Sequence, residues 1–393
     1  VVEVIAVVGL GRAGLPLAAV IADSGLKVIG VDLDVKKCEM INRGLNPIPE
    51  ETGLKELIKE HGGRNLIATS RYEDAANCEV FIVIVPLFID ENRDPDFRFL
   101  ESAFRRVGRI LKNGDLVVLE TTVPPMTSEK LVKGWLEEES NLKLGEFYLA
   151  YSPERIMTGF SILRLKEFPK VIGGVNKESG VKAFEVYKKF IPNLQLVSSA
   201  RVAEFIKLME GCYRDVNIGL ANELFKIASE LGIDFYEARE YANHEYCHIH
   251  LPSTGVGGHC IPVYPWFLIK EMERSGKFNY AKLLRTAREI NDDMVNYWAE
   301  KIVLECLKIN KPLREVKICI KGLTFRKGVK ELNYSRNLAL AKLLLEKGLN
   351  VYVYDEMFSK EEIEEIGFNW IELEEADIVF DCFELKIDRG YLS

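Results

Sequence analysis

The chain has no block of lysine and arginine, no CxxC pair, no apolar run long enough to cross a bilayer, and no low-complexity tract or linker. Each absence removes a class of function. With no basic block and a formal net charge of −8 over 393 residues, neither nucleic acid nor an anionic membrane surface is expected as a partner. The apolar opening, VVEVIAVVGL, is broken by Glu3 and runs into a glycine turn, so it reads as a buried strand rather than a signal peptide or a span. The first residue is Val1 rather than Met, and a trimmed N-terminus is expected. The eight cysteines (Cys38, Cys78, Cys212, Cys247, Cys260, Cys306, Cys319 and Cys382) are scattered, which fits a reducing cytoplasm better than a disulfide framework. What is present is a 48% hydrophobic chain too long for one ordinary core, so two or three domains are expected.

The N-terminal stretch carries the first chemical signal. Residues 2–8 form an apolar β-run, GLGRAG follows at 9–14, and an Ala-rich apolar stretch occupies 15–22. The next run, 26–31, ends in Asp32, eighteen residues beyond Gly14. Strand, glycine turn, helix, strand and acid in that order predict a dinucleotide site. Gly9 permits the tight turn, Gly11 lets a pyrophosphate approach the backbone, and Gly14 lets helix pack on strand. The phosphates are expected at the helix N-terminus beside Arg12, and Asp32 on the adenosine ribose, which favours NAD over NADP. A plain βαβ unit without nucleotide leaves the acid unexplained.

Further alternation follows. Strands are predicted at 80–85 before Pro86, at 116–120 before TTVPP (121–125), and at 146–151, 171–173 and 194–197, with a helix over 178–190. Such alternation predicts a mostly parallel sheet with its ligand crevice beyond the strands' carboxyl ends, where Gly9–Gly14, Pro86 and Thr122 fall. From 201 to 231 the pattern is helical and largely apolar. Lys207, Arg214 and Asn217 fall at i, i+7 and i+10, so they share a face that calls for an anionic partner, a solvated face being the plain alternative. A long apolar helix between two α/β halves is also a natural homodimer core. Helices are expected over 266–273 and 280–307. The last third returns to α/β, with strands at 316–321, 350–354 and 376–383 and a helix at 338–347. SGLKVIGVD (24–32) is echoed by KGLNVYVYD (347–355), without a second GxGxxG, so that copy is expected to bind something other than the NAD pyrophosphate. The fold class expected is α/β: two Rossmann-like doubly wound parallel sheets joined by a long central helix and a helical middle domain. The boundaries expected are 1–200, 201–310 and 311–393, the last expected to be a short copy.

The densest chemistry lies in TGVGGHCIPVYP, 254–265. Gly255, Gly257 and Gly258 lead into His259 and Cys260, and glycine that dense lets backbone approach a ligand closely. A tight turn around a buried thiol is the plain alternative. Cys247, His248, His250, His259 and Cys260 also cluster in sequence, but their spacing matches no zinc pattern and a metal would block Cys260 as a nucleophile. No metal is expected.

Taken together, GLGRAGLP (9–16), NPIPEETGL (46–54), TTVPPMTSE (121–129), SPERIMTG (152–159), KLMEGCYRDVN (207–217) and GVGGHCIPVYPWF (255–267) resemble the UDP-glucose / UDP-N-acetylmannosamine 6-dehydrogenase family over nearly the whole chain. The last two are most similar to its N-acetylhexosamine branch. The resemblance implies a four-electron oxidation of a UDP-sugar C6 alcohol with two NAD, through a thiohemiacetal and a thioester on Cys260. It implies Lys207 at the developing oxyanion, Glu154 as general acid/base or water-orienting carboxylate, and Thr122 near nicotinamide and water. Arg155, Arg214, Asn217, Gly257 and His259 become substrate contacts beside Glu154 and Lys207, and Arg326 approaches the cofactor. UDP-ManNAc is favoured over UDP-GlcNAc and UDP-glucose. The chain departs from the family where an Asn becomes Gly211, where an Asp four residues after the cysteine becomes Tyr264, and where a DDxRE run becomes KELNY (330–334). No Arg corresponding to the one that reaches a neighbouring subunit stands within 243–250, where Tyr246 and Cys247 fall nearest. These departures leave open a second reading, a homologue that binds NAD and a nucleotide sugar but turns over poorly. A simpler two-electron hydroxyacid dehydrogenase shares the fold without explaining the cysteine loop.

Overall fold

The computed structural model describes residues 4–156 and 159–389. The chain divides into two compact units, 1–209 and 210–393.

The first unit is built on an eight-stranded sheet. In chain order its strands are β1 (Val4–Val8), β2 (Lys27–Val31), β3 (Leu66–Thr69) and β4 (Val80–Val83). After a small hairpin, β5 (Phe88–Ile89) with β6 (Pro95–Asp96), come β7 (Leu116–Leu119), β8 (Tyr148–Tyr151), β9 (Lys170–Gly174) and β10 (Leu194–Val197). The spatial order is β10-β9-β8-β7-β4-β1-β2-β3. From β3 through β8 every pairing is parallel, and the order is that of a doubly wound dinucleotide fold. The central strands read VIAVV, VFIV and LVVL because a parallel sheet is covered on both faces and leaves no polar side. One departure from a wholly parallel sheet is the β8–β9 pairing, which is antiparallel.

The second unit carries a five-stranded sheet, β13 (Asn369–Trp370), β12 (Asn350–Tyr354), β11 (Lys317–Lys321), β14 (Ile378–Asp381) and β15 (Lys386–Arg389), in that spatial order. All its pairings are parallel except β14–β15. The echo seen in sequence is also an echo in hydrogen bonding. Gly9 N–H donates to the Val31 carbonyl and Leu10 N–H to Asp32 Oδ2, at 2.8 Å each. Correspondingly, Gly322 N–H donates to Tyr354 at 2.8 Å and Leu323 N–H to Asp355 Oδ2 at 2.6 Å.

A continuous 32-residue helix, Ala200–Leu231, leads from the first unit into the second, and at 1.5 Å per residue is about 48 Å long. In the second unit the helices Tyr264–Arg274 and Lys282–Cys306 follow. Gly219 admits the Ala287 backbone, 3.4 Å from where a Cβ would stand. The core around the C-terminal sheet stacks Trp298 on Phe380 and Phe225, with centroids at 4.9 and 5.7 Å. Beneath it, Arg288 and Asp215 form a fully buried pair at 2.7 Å, with Asn291 bonded to the same carboxylate oxygen at 2.9 Å. Among the described residues no helix is long and apolar enough to cross a membrane.

Candidate active site

In the first unit the ends of β1, β4 and β7 converge. Gly9 adopts φ +96°, and a Cβ there would stand 2.1 Å from the Ile84 carbonyl oxygen. Gly14 is equally constrained, since its Cβ would lie 1.8 Å from the Gly9 oxygen. Gly11 is different: nothing lies within 4 Å of its would-be Cβ. Two of the three glycines are therefore required by packing, and the third leaves space over the backbone. The helix Gly14–Asp23 starts without a side-chain cap or an acidic residue in its first turn, so its N-terminus suits an anion. These features fit a dinucleotide phosphate. Arg12 is held by Glu50 at 3.1 Å. Asp32 is half-engaged already: besides accepting from Leu10 N–H, it is paired to Lys37 Nζ at 3.0 Å. Lys37 is not among the residues singled out in the sequence. Its place in the first turn of the helix Val35–Asn42, directly after the acid, was the available signal.

Beyond β4 and β7 the backbone is pinned by Thr121, whose hydroxyl donates to the Val85 carbonyl at 2.6 Å, next to Pro86. Thr122 follows, buried. Below them Glu120 is fully buried, paired to Lys170 Nζ at 2.7 Å and accepting from the Tyr187 hydroxyl at 2.5 Å. Lys170 also reaches the Pro153 carbonyl at 3.4 Å, so this cluster supports the turn that presents Glu154. Lys207 Nζ donates to the Glu154 carbonyl at 2.5 Å and stands 4.0 Å from its carboxylate. Thus Lys207 and Glu154 are brought together. Arg155 instead turns to the Pro169 carbonyl at 2.7 Å. The loop carrying NPIPEETGL is clamped to the same region by buried Glu51, which accepts from Gly159 N–H at 2.9 Å and the Ser161 hydroxyl at 2.8 Å. Met157 and Thr158 of SPERIMTG lie outside the described residues.

In the second unit the cysteine loop is held against residues 325–335. Gly258 N–H donates to the Asn333 carbonyl at 3.1 Å, and a Cβ on Gly257 would strike Phe325 Cβ at 2.6 Å. The Cys260 carbonyl accepts from Val263 and Tyr264 N–H at 3.1 and 3.0 Å, which sets the half-buried thiol one turn ahead of the helix Tyr264–Arg274. A helix N-terminus favours a thiolate. His259 Nδ1 lies 2.7 Å from Glu331 Oε1. Its hydrogen bond to Cys260, then that to Glu331, pushes the imidazole up to about 10. After burial itself, the charge of Arg214 lowers both Arg326 and His250, because it disfavours a second positive charge nearby. That concentration of positive charge calls for an anion. Asn217 is turned to its own helix, donating to the Tyr213 carbonyl at 2.7 Å. His248 and His250 meet edge to face, centroids 5.6 Å apart.

The NAD binding domain of the UDP-glucose/GDP-mannose dehydrogenase family matches residues 3–191, and the central domain of that family matches residues 201–293. A UDP-N-acetyl-D-mannosamine dehydrogenase of Methanococcus maripaludis is 38% identical over 360 residues, 90% of this chain and 80% of that protein. A solved UDP-D-ManNAc dehydrogenase from Pyrococcus horikoshii superposes with TM-score 0.87 at 35% identity, over 97% of this chain and 89% of that one. A UDP-glucose dehydrogenase from Pyrobaculum islandicum superposes with TM-score 0.86 at 26% identity, over 97% and 90%.

Proposed function

The chain belongs to the UDP-glucose/GDP-mannose dehydrogenase family, and on that premise we propose that it oxidises the C6 alcohol of a UDP-N-acetylhexosamine, UDP-ManNAc first, to the uronate. The 9–14 turn and Asp32 would hold NAD, and two NAD bound in succession would each accept one hydride. The C6 alcohol loses one hydride and one proton to become the aldehyde. Cys260 thiolate adds to that carbon, and the resulting oxygen takes up a proton to complete a thiohemiacetal. Loss of the second hydride and a proton leaves a thioester, and water releases the carboxylate and returns the thiol. Lys207 takes the oxyanion-stabilising role that the family resemblance gives it, and such a donor is worth ~10²–10³ in rate. Glu154 orients water or moves the proton, and Thr122 serves the nicotinamide and water. Arg214, Asn217, Gly257, His259 and Arg155 serve the sugar nucleotide, and Arg326 the charged groups near the cofactor.

The observation that carries this reading is Cys260, half-buried on a glycine loop, one turn ahead of a helix and hydrogen-bonded to His259. Overall shape does not choose the sugar, since a mannosamine and a glucose enzyme superpose almost equally well. The choice of UDP-ManNAc is supported by YRDVN (213–217), GHC (258–260) and the names of the relatives. A homodimer through the long helix is supported by its exposed Met209, Tyr213, Leu220 and Ile227. The test is NADH formed per UDP-ManNAc by the purified protein, beside Cys260→Ser and UDP-GlcNAc. Two NADH per sugar, lost in the variant, is the expected result. Bound NAD without NADH from either sugar overturns it in favour of the second reading, a binding homologue, whose support is the loss of Asn at 211 and Asp at 264.

A further inference from the structure

Glu331 falls in the run where the chain departs from the family, yet its carboxylate is buried, only 4% exposed, and aimed at the cysteine loop. We propose that Glu331 is a positioning residue for Cys260: through His259 it holds the thiol as a thiolate–imidazolium pair. This rests on the reading of Cys260 as the nucleophile.

The geometry carries the inference. Glu331 Oε1 lies 2.7 Å from His259 Nδ1 and accepts from Asn333 Nδ2 at 3.2 Å. Asn333 in turn accepts from Gly258 N–H through its carbonyl, so the residues that fix the carboxylate also fix the loop. The same imidazole hydrogen-bonds Cys260. Among the described residues the titratable groups acting on His259 are Cys260 and Glu331, with Arg326 in electrostatic reach of Glu331. A buried carboxylate is expensive unless it meets a cation. An imidazolium supplies that cation, and the proton it needs comes from the thiol: the S–H proton moves to His259, no electrons leave, and the pair stays neutral overall. Cys260 also precedes a helix N-terminus, which favours the same ionic state. Histidine oriented by a buried carboxylate is a general way to ready a nucleophile. Here the carboxylate comes from a segment 71 residues beyond the cysteine.

The experiment is the pH dependence of Cys260 alkylation by iodoacetamide in the full-length protein without substrate, located by mass spectrometry of the modified peptide. Wild type, Glu331→Gln, Glu331→Asp and His259→Gln are compared, with thermal unfolding as the check on folding. We expect the alkylation midpoint to rise by at least one pH unit in Glu331→Gln and His259→Gln, which slows modification at pH 7 about tenfold. Glu331→Asp should recover part of the shift, because it keeps the charge. A midpoint unchanged in folded Glu331→Gln or in folded His259→Gln overturns the proposal. Because alkylation needs neither sugar nor turnover, this outcome is separate from the NADH stoichiometry. A wild-type enzyme that forms two NADH with an unshifted Glu331→Gln profile would refute the dyad alone.

Discussion

The ring of Tyr264 lies against Gly211: a Cβ added at 211 would stand 2.7 Å from Tyr264 Cδ2 and 3.2 Å from its Cβ. In sequence these residues stand far apart, one on the long helix and one at the start of the helix after the cysteine loop. In space they are one packing unit, in which the ring at 264 occupies the room that a side chain at 211 would need.

That relation predicts non-additivity. Gly211→Asn would ordinarily gain helix propensity, glycine being ~1 kcal/mol worse than alanine in a helix interior. Against the tyrosine ring it should instead destabilise by about 1–3 kcal/mol, as overpacking does. Combined with Tyr264→Asp, most of that loss should disappear. Urea unfolding of both single variants and the double variant measures the coupling, and a sum additive to within about 0.5 kcal/mol would show that the two sites are independent.

The three glycines of the dinucleotide turn should separate by experiment. Gly14→Ala, with backbone 1.8 Å from the new atom, is expected to lower the melting temperature of the protein and remove NAD binding together. Gly11→Ala meets nothing within 4 Å, so its melting temperature should stay near wild type while NAD affinity falls. Thermal melts with NAD titrations decide it. A Gly11→Ala that binds NAD normally would place the pyrophosphate elsewhere.

Glu204 gives a pH signature. Buried in the long helix, it accepts from Met126 and Ser128 N–H at 2.5 and 2.9 Å, but burial dominates and raises it from 4.5 to about 7. A raised carboxyl binds its proton more tightly folded than unfolded. Its contribution is thus complete below about 4.5 and is lost as pH rises through about 7. Glu204→Gln should flatten stability between pH 5 and 8, by up to roughly 3 kcal/mol relative to wild type. Chemical denaturation at the two pH values measures this, and parallel slopes would refute it.

Thiol chemistry should be selective. Cys247 and Cys260 are half-buried and the other six cysteines are buried. Burial pushes Cys78, Cys212 and Cys319 up to about 12 and Cys306 to about 11. Ellman's reagent should therefore titrate two thiols rapidly in the native protein, one in Cys260→Ser, and eight after denaturation of wild type. A fast phase unchanged in Cys260→Ser would mean that Cys260 is masked.

The apolar stripe on the long helix predicts assembly. Leu220 and Ile227 lie seven residues apart on one face, 44% and 49% exposed. Leu220→Glu with Ile227→Glu should convert a dimer to a monomer in light scattering while the protein stays folded. An unchanged mass would move the interface off this helix.

Much of the architecture could be read without coordinates because it rests on local pattern. The runs VIAVV and LVVL, the GLGRAG turn and Asp32 follow one another closely, and each is dictated by a neighbour a few residues away. The echo of residues 24–32 in 347–355 was equally legible, down to the aspartate that receives the turn's N–H. The antiparallel β8–β9 pairing and the edge strand β15 were not, because strand direction and edge pairing are settled by partners distant in sequence. Neither was the engagement of Arg155 with Pro169 and of Asn217 with Tyr213, since rotamers answer to local hydrogen-bond supply.

By itself, then, the amino-acid order determined the α/β class and the glycine turn that runs from the first strand into its helix, both products of short-range sterics and hydrophobic periodicity. Tertiary structure alone decided that Gly211 and Tyr264 belong together, that Lys37 shares Asp32, and that Glu331 stands behind His259. The reason is physical. A buried charge or a filled cavity is defined by what folding brings beside it, and that partner can come from any part of the chain.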